Sequence, residues 1–197
     1  MARDLIEAAR VSAVEVISSP ALQALRRITL GTVQWPGQRP RKYLSGGSTL
    51  TAEQRTSALA VKASITAALE SASLPEAHGA RLAIVAKMLL AFPAANQTYD
   101  SARARGEAYL DALDDVPPWA LVDAVQAWNR GSGDGNHDFA PSPARLRELC
   151  LRALEPHRQA LDHIEDLLNV WTLDDAMDVS KQQQPQGGLI PKLRVMP

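Results

Sequence analysis

Residues 114–131, DDVPPWALVDAVQAWNRG, mark a helix at both of its ends. Asp114 or Asp115 stands where a side chain can accept from the first free N–H groups, and Pro117 and Pro118 suit a first turn whose N–H groups have no helical partner. Gly131 permits the turn that stops the helix. At 100° per residue Pro118, Leu121, Val122, Val125 and Trp128 share one arc, while Trp119 falls about 120° from its centre. Trp128 is therefore predicted as core. Two roles remain for Trp119: packing against the N-terminal helices, or exposure as a partner-binding anchor, because tryptophan is prominent among the few residues that dominate interface energy.

Similar punctuation recurs along the chain. Residues 2–18 place Leu5, Ile6, Ala9, Ala13, Val16 and Ile17 on one helical face, and Ser19 with Pro20 starts a short helix through Leu25 and Ile28. TAEQ at 51–54 has the form of a capping box, with Thr51 accepting from the third helical N–H and Gln54 reaching back. After the break SLPEAHG, the run ARLAIVAKMLLAF is apolar nearly all round, which predicts a central helix. A helix over 101–113 aligns Ala102, Gly106, Tyr109 and Leu113, and its mid-helix glycine suggests close helix packing. Ser142 and Pro143 open another helix, with Leu146, Leu149, Cys150 and Ala153 inward. Pro156 predicts an interruption. Beyond it a last helix carries His157, Ala160, Leu161, Ile164, Leu168 and Trp171 on one side and Asp162, Glu165, Asp166 and Asn169 on the other.

Between these helices, GTVQWPGQRPRKYLSGGS at 31–48 has four glycines, two prolines and no sustained period, and reads as a linker or loop. No convincing strand pair stands out. The predicted fold class is all-α: N-terminal helices over 1–30, the Gly/Pro/Arg linker over 31–48, a helical module over 49–178 and a disordered, basic C-terminal tail over 179–197.

The 197 residues and 46% hydrophobic content suffice for a globular core, and the net charge of −1 conceals an uneven distribution. Residues 1–60 hold eight basic against four acidic side chains, whereas 98–178 hold seven against sixteen. An acidic module repels phosphate at long range and favours protein partners, so any DNA contact is expected of the basic N-terminal part or the tail. The opening residues lack the apolar run of a signal peptide, and no stretch reaches the roughly 18 apolar residues of a membrane span, which predicts a cytoplasmic protein without a membrane partner. Cys150 is the single cysteine. It can form no intrachain disulfide and, on an apolar face, behaves as a small hydrophobe.

No phosphate-binding loop or zinc motif occurs. DGNHD at 134–138 offers Asp134, Asn136 and Asp138 at alternate positions of a calcium loop, but Phe139 stands where that loop needs glycine and Arg145 where it needs glutamate. His78, His137, His157 and His163 lie in separate segments without ligand spacing and are expected at the surface or on helix flanks. The sequence thus supplies no catalytic, metal or cofactor constellation, and no enzyme activity or cofactor is expected.

Read together, MLLAFP at 88–93, AYLDALDDVPPWALVDAVQAW at 108–128 and FAPSPARLREL at 139–149 resemble the replicative helicase loader and inhibitor family of phage and prophage replication modules. The pattern is a helix ending in aromatic-proline, a second ending in leucine, acidic residue and proline, a third helix, and then an aromatic followed by a proline-marked helix start. Here the positions are Phe92 and Pro93; Leu113, Asp115 and Pro117; then Phe139, Pro141, Ser142, Pro143, Ala144, Leu146 and Arg147. The resemblance covers about residues 82–150. The loop 131–138 is expanded relative to the pattern, and the first 80 residues have no counterpart in it.

That resemblance implies a small helical domain without ATPase activity that binds a hexameric replicative helicase, loading or inhibiting it, with a flexible C-terminal part engaged on the helicase. Candidate partner-binding residues are then Trp119 and the tail residues Leu189, Ile190 and Leu193. An alternative reading is a helical DNA-binding or regulatory protein, in which Arg39, Arg41 and Lys42, interleaved with Trp35 and Tyr43, contact nucleic acid. Oligomeric state is left open.

Overall fold

The computed structural model describes residues 2–34, 40–44, 49–92, 98–132 and 135–170. Among them the chain forms seven α-helices: α1 Ala2–Ser18, α2 Pro20–Arg26, α3 Ala52–Glu70, α4 Ala77–Ala91, α5 Tyr99–Ala112, α6 Pro118–Asn129 and α7 Pro143–Leu168. A short antiparallel pair, β1 Leu30–Val33 and β2 Arg41–Leu44, accompanies them. The fold class is all-α, with this one small hairpin.

Local chemistry sets most helix ends where the sequence predicts them. The Thr51 hydroxyl accepts from the Gln54 N–H at 3.1 Å while the Gln54 side chain accepts from the Thr51 N–H at 2.9 Å, a reciprocal box that satisfies two otherwise orphaned donors. Ser19 caps α2 by accepting from Leu22, Thr98 caps α5 by accepting from Ser101, and Ser142 caps α7 by accepting from Arg145. At the end of α6, Gly131 adopts φ +74°, a conformation that penalises any residue with a Cβ. Its N–H bonds the Trp128 carbonyl and the Ser132 N–H bonds that of Ala127, so the last carbonyls of α6 are satisfied.

Three expectations give way. Where 31–48 reads as a loop, β1 and β2 pair in the register Leu30 with Leu44 and Gly31 with Tyr43. A Cβ on Gly31 would lie 2.4 Å from the Tyr43 ring, so the missing side chain makes room for the tyrosine. Pro156 does not interrupt: α7 runs through it for 26 residues. Its ring removes one N–H bond to Arg152, but Arg152, Glu155 and Pro156 are all exposed, so the freed carbonyl stands where water can reach it. Finally, a Cβ on Gly106 would meet nothing within 4 Å, so that glycine marks no close helix contact.

The chain divides into two compact units, one of residues 1–17 and 63–159, the other of 18–62 and 160–197; α3 and α7 each contribute residues to both.

In the first unit one apolar cluster joins Ala13 of α1, Ala68 of α3, Val85 and Met88 of α4, Tyr109 of α5, most of α6, and Leu146, Leu149, Cys150 and Leu154 of α7. Helix α6 is its centre: Pro118, Trp119, Ala120, Leu121, Ala124 and Trp128 are all buried, on more than one face. The Trp128 indole N–H donates to the Phe139 carbonyl at 3.0 Å, and its ring lies 4.2 Å from that of His137. Tyr109 donates its hydroxyl proton to the Pro141 carbonyl. The segment after α6 is thereby tied to the core through side-chain donors on α5 and α6.

In the second unit Leu22, Leu25, Leu44, Ala58, Val61, Ala160, Ile164 and Leu167 are buried. Polar contacts add to this packing. Lys42 pairs with Asp166, Lys62 with Glu165 at 2.8 Å, and a ring nitrogen of His163 bonds the Leu25 carbonyl at 3.2 Å.

Candidate protein-interaction surface

The residues that carry the family resemblance are 55 positions apart in sequence at their extremes, Phe92 and Arg147, yet they meet in the first unit. Leu113 and Leu146 are fully buried in its cluster and Phe92 packs against it. Arg147, one turn into α7, reaches the segment between α5 and α6, where it bonds both carboxylate oxygens of Asp115 and the Ala112 carbonyl. The hydrogen bonds from Arg147 hold the Asp115 carboxyl below its usual range, and burial only partly opposes them. These positions fix the corner at which α5, α6 and α7 come together. Pro93 lies outside the described residues.

Arg81 supports the same corner from α4. It is 6% exposed, and its guanidinium donates to the carbonyls of Ala72 and Val116 at 3.0 Å each. Burial lowers its pKa, with Asp114 and Asp115 countering. Nothing in the sequence around Arg81 distinguishes it from a solvated arginine; its acceptors come from turns 9 and 35 residues away.

Trp119 requires a correction. It is 1% exposed, its indole N–H donates to the Ala68 carbonyl at 2.9 Å, and its ring lies 4.7 Å from that of His157. A side chain so enclosed cannot serve as an exposed anchor. The helical arc separates it correctly from Trp128, but α3 and α7 cover the other side of α6. His157 is likewise buried rather than on a flank, with a ring nitrogen on the Ala13 carbonyl at 3.0 Å. Burial lowers its pKa, opposed by the carbonyls of Ala13 and Ala153 and by Asp123. Cys150 is fully buried and its thiol is pushed up to about 12, the state of an inert core residue.

Of the candidate nucleic-acid residues, Lys42 is engaged by Asp166. Arg41 belongs to β2. Arg39 and the tail residues Leu189, Ile190 and Leu193 lie outside the described residues. Asp138 donates its N–H to the Asn136 side chain at 2.9 Å, a local turn. Among the described residues no three His, Cys, Asp or Glu side chains gather as metal ligands, and no helix is long and apolar enough to cross a membrane.

The feature that sequence reasoning placed wrongly is α4. It packs against α5 and α6 through Val85, Met88 and their neighbours, but its outward face carries Gly79, Leu82, Ala83, Ala86 and Leu90, all exposed. Leu82 is 46% exposed and Leu90 83%. A surface helix ordinarily turns charged side chains outward. This one presents an apolar stripe about 16 Å long at 1.5 Å per residue, a surface suited to contact with protein rather than with phosphate.

Compared with known families, with curated proteins and with solved structures, the chain finds no match in any of the three.

Proposed function

We propose that this chain is a non-enzymatic adaptor of phage- or prophage-type DNA replication, one that binds a hexameric replicative helicase and loads or inhibits it. The observation that carries the reading is the convergence of Leu113, Asp115, Leu146 and Arg147 on one corner. The resemblance rests on those residues, and an ion pair that spans 32 positions makes two of them parts of one structural unit. The acidic composition of residues 98–178 favours a protein partner over nucleic acid. With Trp119 in the core, the partner contacts fall to exposed residues and to Leu189, Ile190 and Leu193 of the tail.

Size-exclusion chromatography with light scattering tests this. A bacterial hexameric replicative helicase mixed with the purified chain should elute as a larger complex, and a chain ending after residue 180 should lose most of that complex while keeping its thermal stability. Separate elution of helicase and full-length chain at about 50 μM each, well above the micromolar range of functional interfaces, would overturn the proposal.

A further inference from the structure

The bare face of α4 carries a pattern of its own. Glu76, which caps the helix in helical conformation, and Lys87 are eleven residues apart, about three turns, so they stand on the same edge of the apolar stripe roughly 16 Å apart. Both are exposed, and neither forms an ion pair among the described residues. Midway between them along the axis, on the opposite edge, stands Leu82; Gly79 and Ala86 flank the midpoint on the centre line of the stripe.

We infer that this face pairs with the same face of a second copy, the two α4 helices antiparallel about a two-fold axis at Leu82. Such a two-fold keeps each edge of the stripe on its own side. It therefore brings Glu76 of one copy to Lys87 of the other, twice, and sets Leu82 against its own counterpart. Gly79 and Ala86 come nearly level across the interface, small against small, so the backbones can approach closely. A parallel two-fold would instead exchange the edges and bring Glu76 of one copy near neither Glu76 nor Lys87 of the other. Opposite unpaired charges placed symmetrically about an exposed leucine are the pattern that a self-complementary interface requires, and an unrelated partner gives no reason for it.

One helix pair covers well under the roughly 800 Å² per partner of a stable interface, so the dimer is weak, with a dissociation constant on the order of 100 μM. Sedimentation velocity from about 10 μM to about 1 mM spans that range. The wild type should shift from monomer to dimer across the series. Leu82→Asp should remain monomeric. Glu76→Lys and Lys87→Glu should each weaken association at least about fivefold, and the double variant should restore it because the reversed charges again meet. All three substitutions are at exposed positions, and circular dichroism should give the same helix content as the wild type for every variant. A wild type that stays monomeric throughout, a dimer indifferent to Leu82→Asp, or a double reversal as weak as the single ones would overturn the assignment. So would a monomer whose helicase capture drops tenfold with Leu82→Asp, which would give the face to that partner instead.

Discussion

Arg147 grips Asp115 with two nitrogens, at 2.5 and 2.9 Å, and the nitrogen at 2.5 Å also donates to the Ala112 carbonyl at 2.7 Å. The ion pair is largely solvated, the two side chains being 36% and 55% exposed, so its Coulombic part is small. The carbonyl is the more demanding partner. Asp115→Asn, which leaves the Ala112 bond in place, should cost under about 1 kcal/mol, whereas Arg147→Ala should cost about 1 to 2 kcal/mol in urea unfolding. Equal costs would mean that the carboxylate, rather than the carbonyl, is what the arginine holds.

Trp119 and Trp128 should behave alike. Each is a buried indole with its N–H on a carbonyl, from Ala68 in one case and Phe139 in the other. Replacing either by alanine should cost about 3 to 5 kcal/mol. Trp119→Phe isolates the hydrogen bond and the smaller ring; leaving the Ala68 carbonyl without its donor should account for about 1 to 3 kcal/mol. A Trp119→Ala variant with wild-type melting behaviour would contradict the burial.

His157 makes stability depend on pH. Burial lowers its pKa in the fold, so between the folded value and the ordinary 6.5 the unfolded chain binds the proton and the folded chain does not. Stability should therefore be at its full value above pH 6.5, fall as pH drops through the window, and level off below the folded pKa. Asp123 acts against the shift and narrows the window. Urea unfolding at pH 7.5 and about pH 5.5 should show this loss in the wild type, and His157→Gln should lose less between the two conditions. An equal loss in both proteins would assign it to other groups.

Helix boundaries were legible because they are local: Thr51 with Gln54, Ser142 with Pro143, and Gly131 each act within a few residues. What escaped sequence reading depends on distant partners. The helical arc of α6 shows that Trp119 leaves the face of Trp128, but only the fold supplies Ala68, 51 residues away, to receive its N–H. Strands β1 and β2 have four residues each, too few for alternation to stand out from their glycine- and proline-rich surroundings. Pro156 reads as a break because the sequence does not reveal that the side of α7 it interrupts is solvated. For α4 the composition was read correctly and its consequence was not: a helix apolar all round was expected in the centre, and it lies at the surface with one face uncovered.

Isothermal titration calorimetry of the purified chain into a bacterial hexameric replicative helicase, with duplex DNA as the parallel titrant, tests the central claim most directly. The adaptor account predicts saturable binding to the helicase at a fixed ratio per hexamer, with micromolar or tighter affinity, and no comparable heat with DNA. Salt-sensitive binding to DNA, with no heat from the helicase at about 100 μM, would contradict it and favour a nucleic-acid-binding role for the basic N-terminal region.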